Sequence, residues 1–259
     1  MGNLCLVGRY YRSIPLTDTG YETHPVELDP AKTALVVMHC WDIGCEGGPE
    51  IDVNFCVGMG YLESFREAER IMRECIRPAM DAARAAGILV CHVESSAIGA
   101  KHPEAMQDLD EPVHNPYQPG PVVPGWREEI VARSHGRDYP TLSPYAKMDR
   151  AQIVAPEPGE PFVHQTGQFD RALRRYGIEN LLYTGFATDM CILRAGGGVE
   201  PMAPFGYRIF LLRDATLGVE SPDSFPERIA TRWGIQYFET HYGDTLLTRD
   251  FIEACAALG

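Results

Sequence analysis

The sequence predicts an α/β protein of the doubly wound type, three layers thick, built on six parallel strands. Six short apolar runs recur along the chain, and stretches with apolar residues at helical spacing separate them. Most of the runs are apolar throughout rather than alternating, as strands buried on both faces must be. At 259 residues one domain with a single large core is the simplest count.

Residues 1–31 are polar and turn-rich, with Pro15, Gly20, Pro25 and Pro30, and are expected to form an arm on the surface or on a neighbouring subunit. The α/β domain is expected over residues 32–259. Its first strand, residues 32–38, runs into His39, Cys40, Trp41 and Asp42. A Gly-rich loop follows over 43–59, with Gly44, Gly47, Gly48 and Gly58. Between 61 and 86, Leu62, Phe65, Ile71, Met72, Ile76, Met80 and Ala83 share one face of a long helix. Pro78 should kink that helix and Gly87 end it. Residues 88–93 are the next strand, which completes a right-handed βαβ unit.

Residues 95–160 are irregular and carry His102, His114, Trp126, His135, Tyr139 and Tyr145, with a short helix expected over 126–135. An excursion this long inside a compact domain reads as a lid or an oligomer arm. After it come a strand over 160–165, a helix over 169–176, the run that begins at Leu181, and a strand over 207–212. A helix over 226–233, a short strand over 235–238 and a helix over 245–258 close the chain.

Composition excludes several classes of partner. Lys plus Arg is 23 against 36 Asp plus Glu, a formal charge of −13, which argues against nucleic acid and anionic membranes. No apolar run reaches the length of about 18 residues that a membrane span needs. The first residues lack the charged-then-apolar order of a secretion signal. The eight cysteines, Cys56 among them, read as free thiols of a reducing cytoplasm.

The chemistry concentrates in Leu181-Leu182-Tyr183-Thr184-Gly185-Phe186-Ala187-Thr188-Asp189-Met190-Cys191. Gly185 breaks a buried strand, and Thr188 or Asp189 is expected to cap a helix that begins near Cys191. That places the thiol at the carboxyl edge of the sheet, where open α/β sheets bind ligands. A helix dipole there would favour the thiolate. An arbitrary cysteine is more often a small buried hydrophobe. Here, however, Gly-x-Ala-Thr-Asp-x-Cys after a buried strand closely resembles the nucleophile motif of the isochorismatase-like cysteine hydrolases. Nicotinamidases and N-carbamoylsarcosine amidases belong to that family. The resemblance runs from about Lys32 to the C-terminus. It implies strand order 3-2-1-4-5-6, a cis peptide between Phe186 and Ala187, and an oxyanion hole from the backbone N–H groups of Ala187 and Cys191. It also implies a homo-oligomer, dimer or tetramer.

The family triad joins the Cys to an Asp ending the first strand and a Lys ending the third. By pattern, those positions fall on His39 and Gln165. Three readings follow. In the preferred one a Cys191–His39 pair hydrolyses a small amide, ureido or imide substrate through a thioester. Gln165 then donates to substrate or holds the attacking water, and Asp42 orients the imidazole. The second reading is a small-molecule-binding member that has lost amidase activity. The third is a metal site of His39, Cys191 and His164. The first needs neither metal nor cofactor. Trp41, Asp42, Phe186 and Thr188 are the candidate substrate contacts, although Trp41 and Phe186 serve equally as plain core. His164 should point to the opposite face from Gln165. The run Gly196-Gly197-Gly198 costs a helix about 1 kcal/mol per glycine, so the helix at Cys191 should be short or admit another backbone.

Overall fold

The computed structural model describes residues 2–55, 61–112 and 120–258; Cys56, Gly58 and His114 lie outside them. Its strands are β1 Leu4–Arg12, β2 Gly20–Leu28, β3 Thr33–Met38, β4 Leu89–Val93, β5 Phe162–Val163, β6 Asn180–Phe186, β7 Arg208–Leu217 and β8 Gly243–Leu246. They form one eight-stranded sheet among the described residues, in the order β2-β1-β8-β7-β6-β3-β4-β5. β3 to β8 pair in parallel. Counted by appearance, those six run 3-2-1-4-5-6, the order the resemblance implies.

The sheet has eight strands rather than six because the expected arm folds into it. β1 and β2 pair antiparallel, and Arg9 of β1 meets Thr245 of β8. Leu4, Leu6, Val26 and Leu28 alternate along the hairpin and are all buried. Their apolar face gives the hairpin a reason to dock, and docking covers the open edge of β8.

The helices are α1 Leu62–Ile71, α2 Arg77–Ala85, α3 Ser96–Gly99, α4 Trp126–His135, α5 Tyr139–Leu142, α6 Thr166–Arg175, α7 Cys191–Arg194, α8 Val199–Met202, α9 Ile229–His241 and α10 Thr248–Ala256. α1 and α2 join through a turn of π-helix, Met72–Ile76, in which the Arg77 N–H bonds the Met72 carbonyl. Pro78 has no N–H to donate, and the ladder widens just before it. The expected strand over 235–238 lies inside α9, and the last strand is β8 instead. Ile235 and Phe238, three apart, fit one face of a helix as well as a short strand. β5 is only two residues long, where six were expected.

Alternate residues of the central strands feed two cores. Leu35, Val37, Leu182, Phe186, Phe210 and Leu212 pack against α1, α2 and α10. Val36, Met38, Leu181, Tyr183, Ile209 and Leu211 pack against α6 to α9. Every residue of β3 is buried. Each such Leu, Ile or Val contributes about 1.5–3 kcal/mol.

β3 and β6 lie side by side, with Met38 opposite Gly185. Gly185 has φ +110°, and a Cβ there would stand 1.9 Å from the Met38 carbonyl oxygen. Only glycine lets β6 come this close as it turns toward Cys191. Gly185→Ala should therefore destabilise the fold by at least about 2 kcal/mol. Urea unfolding of the two proteins measures it.

Candidate functional site

The site is assembled at the carboxyl ends of β3, β4 and β6. Ile192 and Met190 each donate to the Ala187 carbonyl, which winds the chain after β6 into α7. The Phe186–Ala187 peptide is cis, as the resemblance implies. α7 is four residues long and is followed by the glycine turn. At Gly196 a Cβ would lie 2.7 Å from the His164 carbonyl oxygen, so the turn does admit another backbone. Neither Thr188 nor Asp189 caps α7: its N-cap is Met190, with no side-chain bond. The Asp189 carboxylate accepts the Val219 N–H at 2.9 Å instead.

Cys191 is half-buried, and its thiol sits above the ordinary value rather than below it. Burial is the first cause; a backbone hydrogen bond from Ala187 opposes it, and Asp189 and Glu94 add to it. A four-residue helix has little dipole to offer, and desolvation wins. The resting group is therefore a thiol, and only removal of its proton would make it nucleophilic.

His39 follows β3 with φ 49°, an uncommon conformation for a residue with a side chain. Its N–H continues the ladder to the Val93 carbonyl at 2.9 Å. The residue is 4% exposed, and its Nε2 has no partner. Burial first, then Arg150, lowers its pKa to about 4, against a bond to the Glu94 backbone that raises it. The imidazole is therefore neutral at pH 7, with a free nitrogen ready to accept a proton.

Two charged residues that motif reading missed stand beside it. Glu94, one residue past β4, meets Arg150 at 2.9 Å, both fully withdrawn from solvent. Burial raises Glu94 to about 7, against Arg150 and backbone bonds from Cys40 and Ser95. Neither its oxygens nor Arg150 Nε and Nη1 have a well-aligned hydrogen bond. His39 Nε2, Trp41 Nε1 and Arg150 Nε and Nη1 are the buried polar atoms here with no partner at all. Such atoms cost about 1–3 kcal/mol each and mark a place that water or ligand is meant to complete. Arg150 also lines a cavity of about 290 Å³ with Asp42, Gly48, His102, Asp149 and Phe162.

The other expected residues fall less centrally. Gln165 precedes α6, and its Oε1 accepts the Asp110 N–H at 2.5 Å, so its acceptor is already engaged. Its side chain and that of Gln168 form a reciprocal cap. Asp42 Oδ1 accepts from the Asp149 N–H at 2.7 Å, which ties it to the excursion. Phe186 is 1% exposed within the core. Thr188 is fully buried and bonds Thr216 Oγ1 at 2.6 Å. Trp41 borders His39, ring to ring at 6.2 Å, and forms a bridge with Arg150. A carboxylate after one strand and an arginine 56 residues on, inside an irregular stretch, share no spacing pattern; only the fold brings them together. Among the described residues no group of three or more His, Cys, Asp or Glu is placed to hold a metal ion, and no helix is long and apolar enough to cross a membrane.

The chain is 29% identical over 253 residues to a ureidoacrylate amidohydrolase, RutB, of Azorhizobium caulinodans, covering 90% of this chain and 95% of that one. It is 27% identical over 243 residues to RutB of Agrobacterium fabrum, covering 88% and 91%. Among solved structures, a cysteine hydrolase from Pseudomonas syringae pv. phaseolicola matches with TM-score 0.56 at 16% identity, covering 90% of this chain and 96% of that one. An isochorismatase family protein from Desulfovibrio vulgaris matches with TM-score 0.50 at 19% identity, covering 87% and 98%. At such identities the structures speak for the fold alone. No family model matches the chain.

The lowered pKa of His39 has a consequence for stability. The folded state refuses a proton that the unfolded state takes at about 6.5, so the stability this implies is present above that pH and is lost as pH falls toward about 4. His39→Asn should reduce the acid sensitivity of unfolding over that window by up to about 3 kcal/mol. Urea midpoints of both proteins from neutral pH down to about 4 check the difference.

Proposed function

Because the chain belongs to the isochorismatase-like cysteine hydrolases, we propose that it hydrolyses a small amide or ureido C–N bond with Cys191 as nucleophile. One observation carries the reading. The motif thiol follows β6 at the carboxyl edge of the sheet, and the neighbouring strand β3 runs into His39, a buried neutral imidazole with an unpartnered Nε2, at the position that aligns with the family Asp. The relatives named ureidoacrylate amidohydrolase support the choice of a ureido or amide substrate.

In this reading the Cys191 proton passes to His39 Nε2 as sulfur bonds the carbonyl carbon. The oxyanion forms against the N–H groups of Ala187 and Cys191. The C–N bond breaks, the imidazolium gives its proton to the leaving nitrogen, and a thioester remains. Water then attacks the thioester, His39 takes the water's proton, and the thiol is restored. Gln165, engaged with Asp110, fits a structural part better than that of water holder. The same engagement, with the raised thiol pKa, favours one alternative: a member of the family that binds such molecules without turning them over.

A panel of small amides and ureido compounds, scored for ammonia release, should reveal turnover. Cys191→Ala should abolish it, and His39→Ala should lower it by about a hundredfold or more. Stabilisation by a compound that is never cleaved would favour the binding alternative. Turnover that survives Cys191→Ala would end the nucleophile assignment.

A further inference from the structure

Hydrolysis of a thioester needs a held water as well as a thiol, and Gln165 is engaged elsewhere: it accepts the Asp110 N–H and caps α6. Just past β3, two buried ring nitrogens have no partner among the described residues, His39 Nε2 and Trp41 Nε1. They belong to side chains two positions apart, with ring centres 6.2 Å apart and planes tilted by 51°. An indole N–H can only donate. His39 turns its other ring nitrogen to the Glu94 backbone, so the neutral ring keeps its lone pair at Nε2, which accepts. Neighbouring rings thus offer one unmet donor and one unmet acceptor. A water answers both at once, and two hydrogen bonds of about 2.9 Å through its oxygen span up to about 5.8 Å, close to the separation of the rings. A buried indole ordinarily finds a protein partner for its N–H. Here the indole is held in place without one. The Trp41 backbone bridges Arg150, the Ala151 N–H donates to the Cys40 carbonyl and the Asp42 N–H to the Asp149 carbonyl, each at 2.9 Å. The Tyr145 ring meets the indole edge-on at 5.8 Å.

We propose that the Trp41 indole N–H and His39 Nε2 together hold the water that attacks the thioester on Cys191, so that Trp41 is a positioning residue for the second half of the reaction. The inference rests on the hydrolase reading above. The water accepts from Trp41 and donates to His39, which leaves its oxygen a lone pair for the carbonyl carbon. As the O–C bond forms, the proton on the His39 side passes to Nε2. The C–S bond then breaks, the sulfur takes that proton back, and a carboxylic acid leaves. Trp41 gains and loses no proton. Its N–H fixes where the water's oxygen stands, which is a contribution to orientation. Acylation of the thiol, which uses no water, does not call on it.

p-Nitrophenyl acetate, an activated ester that acetylates thiols, separates the two halves in the intact protein. Release of p-nitrophenol reads acylation, with Cys191→Ala as the blank. Loss of the acetyl group from the Cys191 peptide, in acid-quenched samples analysed by mass spectrometry, reads attack by water. Trp41→Phe, which keeps a ring and removes the donor, should slow the loss of acetyl by at least about tenfold while acylation changes by less than about threefold. Hydroxylamine, a nucleophile that needs no held water, should strip the acetyl group from Trp41→Phe and wild type at similar rates. Equal loss of acetyl to water in the two proteins overturns the inference and leaves Cys191 as nucleophile. So does a fall of both steps by the same factor, which would make Trp41 a merely structural residue. Where Trp41→Phe does not fold, a crystal structure of the wild type decides: one ordered water should lie about 2.6–3.2 Å from both Trp41 Nε1 and His39 Nε2, and no such water overturns the inference. A wild type that carries no acetyl group on Cys191 and releases p-nitrophenol no faster than Cys191→Ala overturns the hydrolase reading, and this inference with it.

Discussion

Everything at this site depends on how closely two parallel strands approach. β3 and β6 run together until Gly185 lies against the Met38 carbonyl, with no space for a side chain. Beyond that contact β3 releases His39 into a left-handed conformation, and β6 turns through Phe186 and Ala187 into α7. The imidazole and the thiol therefore come from neighbouring strands at one edge of the sheet. Tyr183, a fully buried residue of β6, fixes the far side by donating to the Gly197 carbonyl at 2.7 Å. A packing constraint among apolar strands thus decides where polar chemistry can occur.

Burial then sets the chemistry that is available. It keeps the Cys191 thiol protonated, His39 neutral and Glu94 close to half-ionised near neutral pH. These shifts run against what an exposed helix terminus would give a cysteine. In the proposed function, they make proton transfer an event that a bound reactant would have to drive rather than a resting state. The polar atoms without partners are the complement of that arrangement. A stable core would pair them, whereas a site leaves them for what it binds.

Much of the scaffold was legible in the sequence. Uninterrupted apolar runs identified β3, β4 and β6, because strands buried on both faces can carry nothing else. The glycine break and the motif located the thiol, and three glycines foretold a short α7. Other parts were obscured for physical reasons. The β1–β2 hairpin alternates apolar and polar residues behind prolines, and its partner edge, β8, lies more than 200 residues away. Ile235 and Phe238 satisfy two periodicities, and tertiary packing chose the helix. Gln165 occupies the slot of a family residue, yet its side chain answers to the local need of a helix start. Glu94 and Arg150 were invisible because charge pairing across 56 positions leaves no trace in spacing.

The central claim is that the sulfur of Cys191 bonds covalently to substrate during turnover. Acid quenching of the protein during steady-state hydrolysis of an amide or ureido compound, followed by intact-mass and peptide mass spectrometry, tests it most directly. The account predicts an acyl adduct that maps to the peptide containing Cys191 and is lost on mild base treatment. Continued turnover with no adduct at Cys191, or an adduct confined to another cysteine, would contradict it.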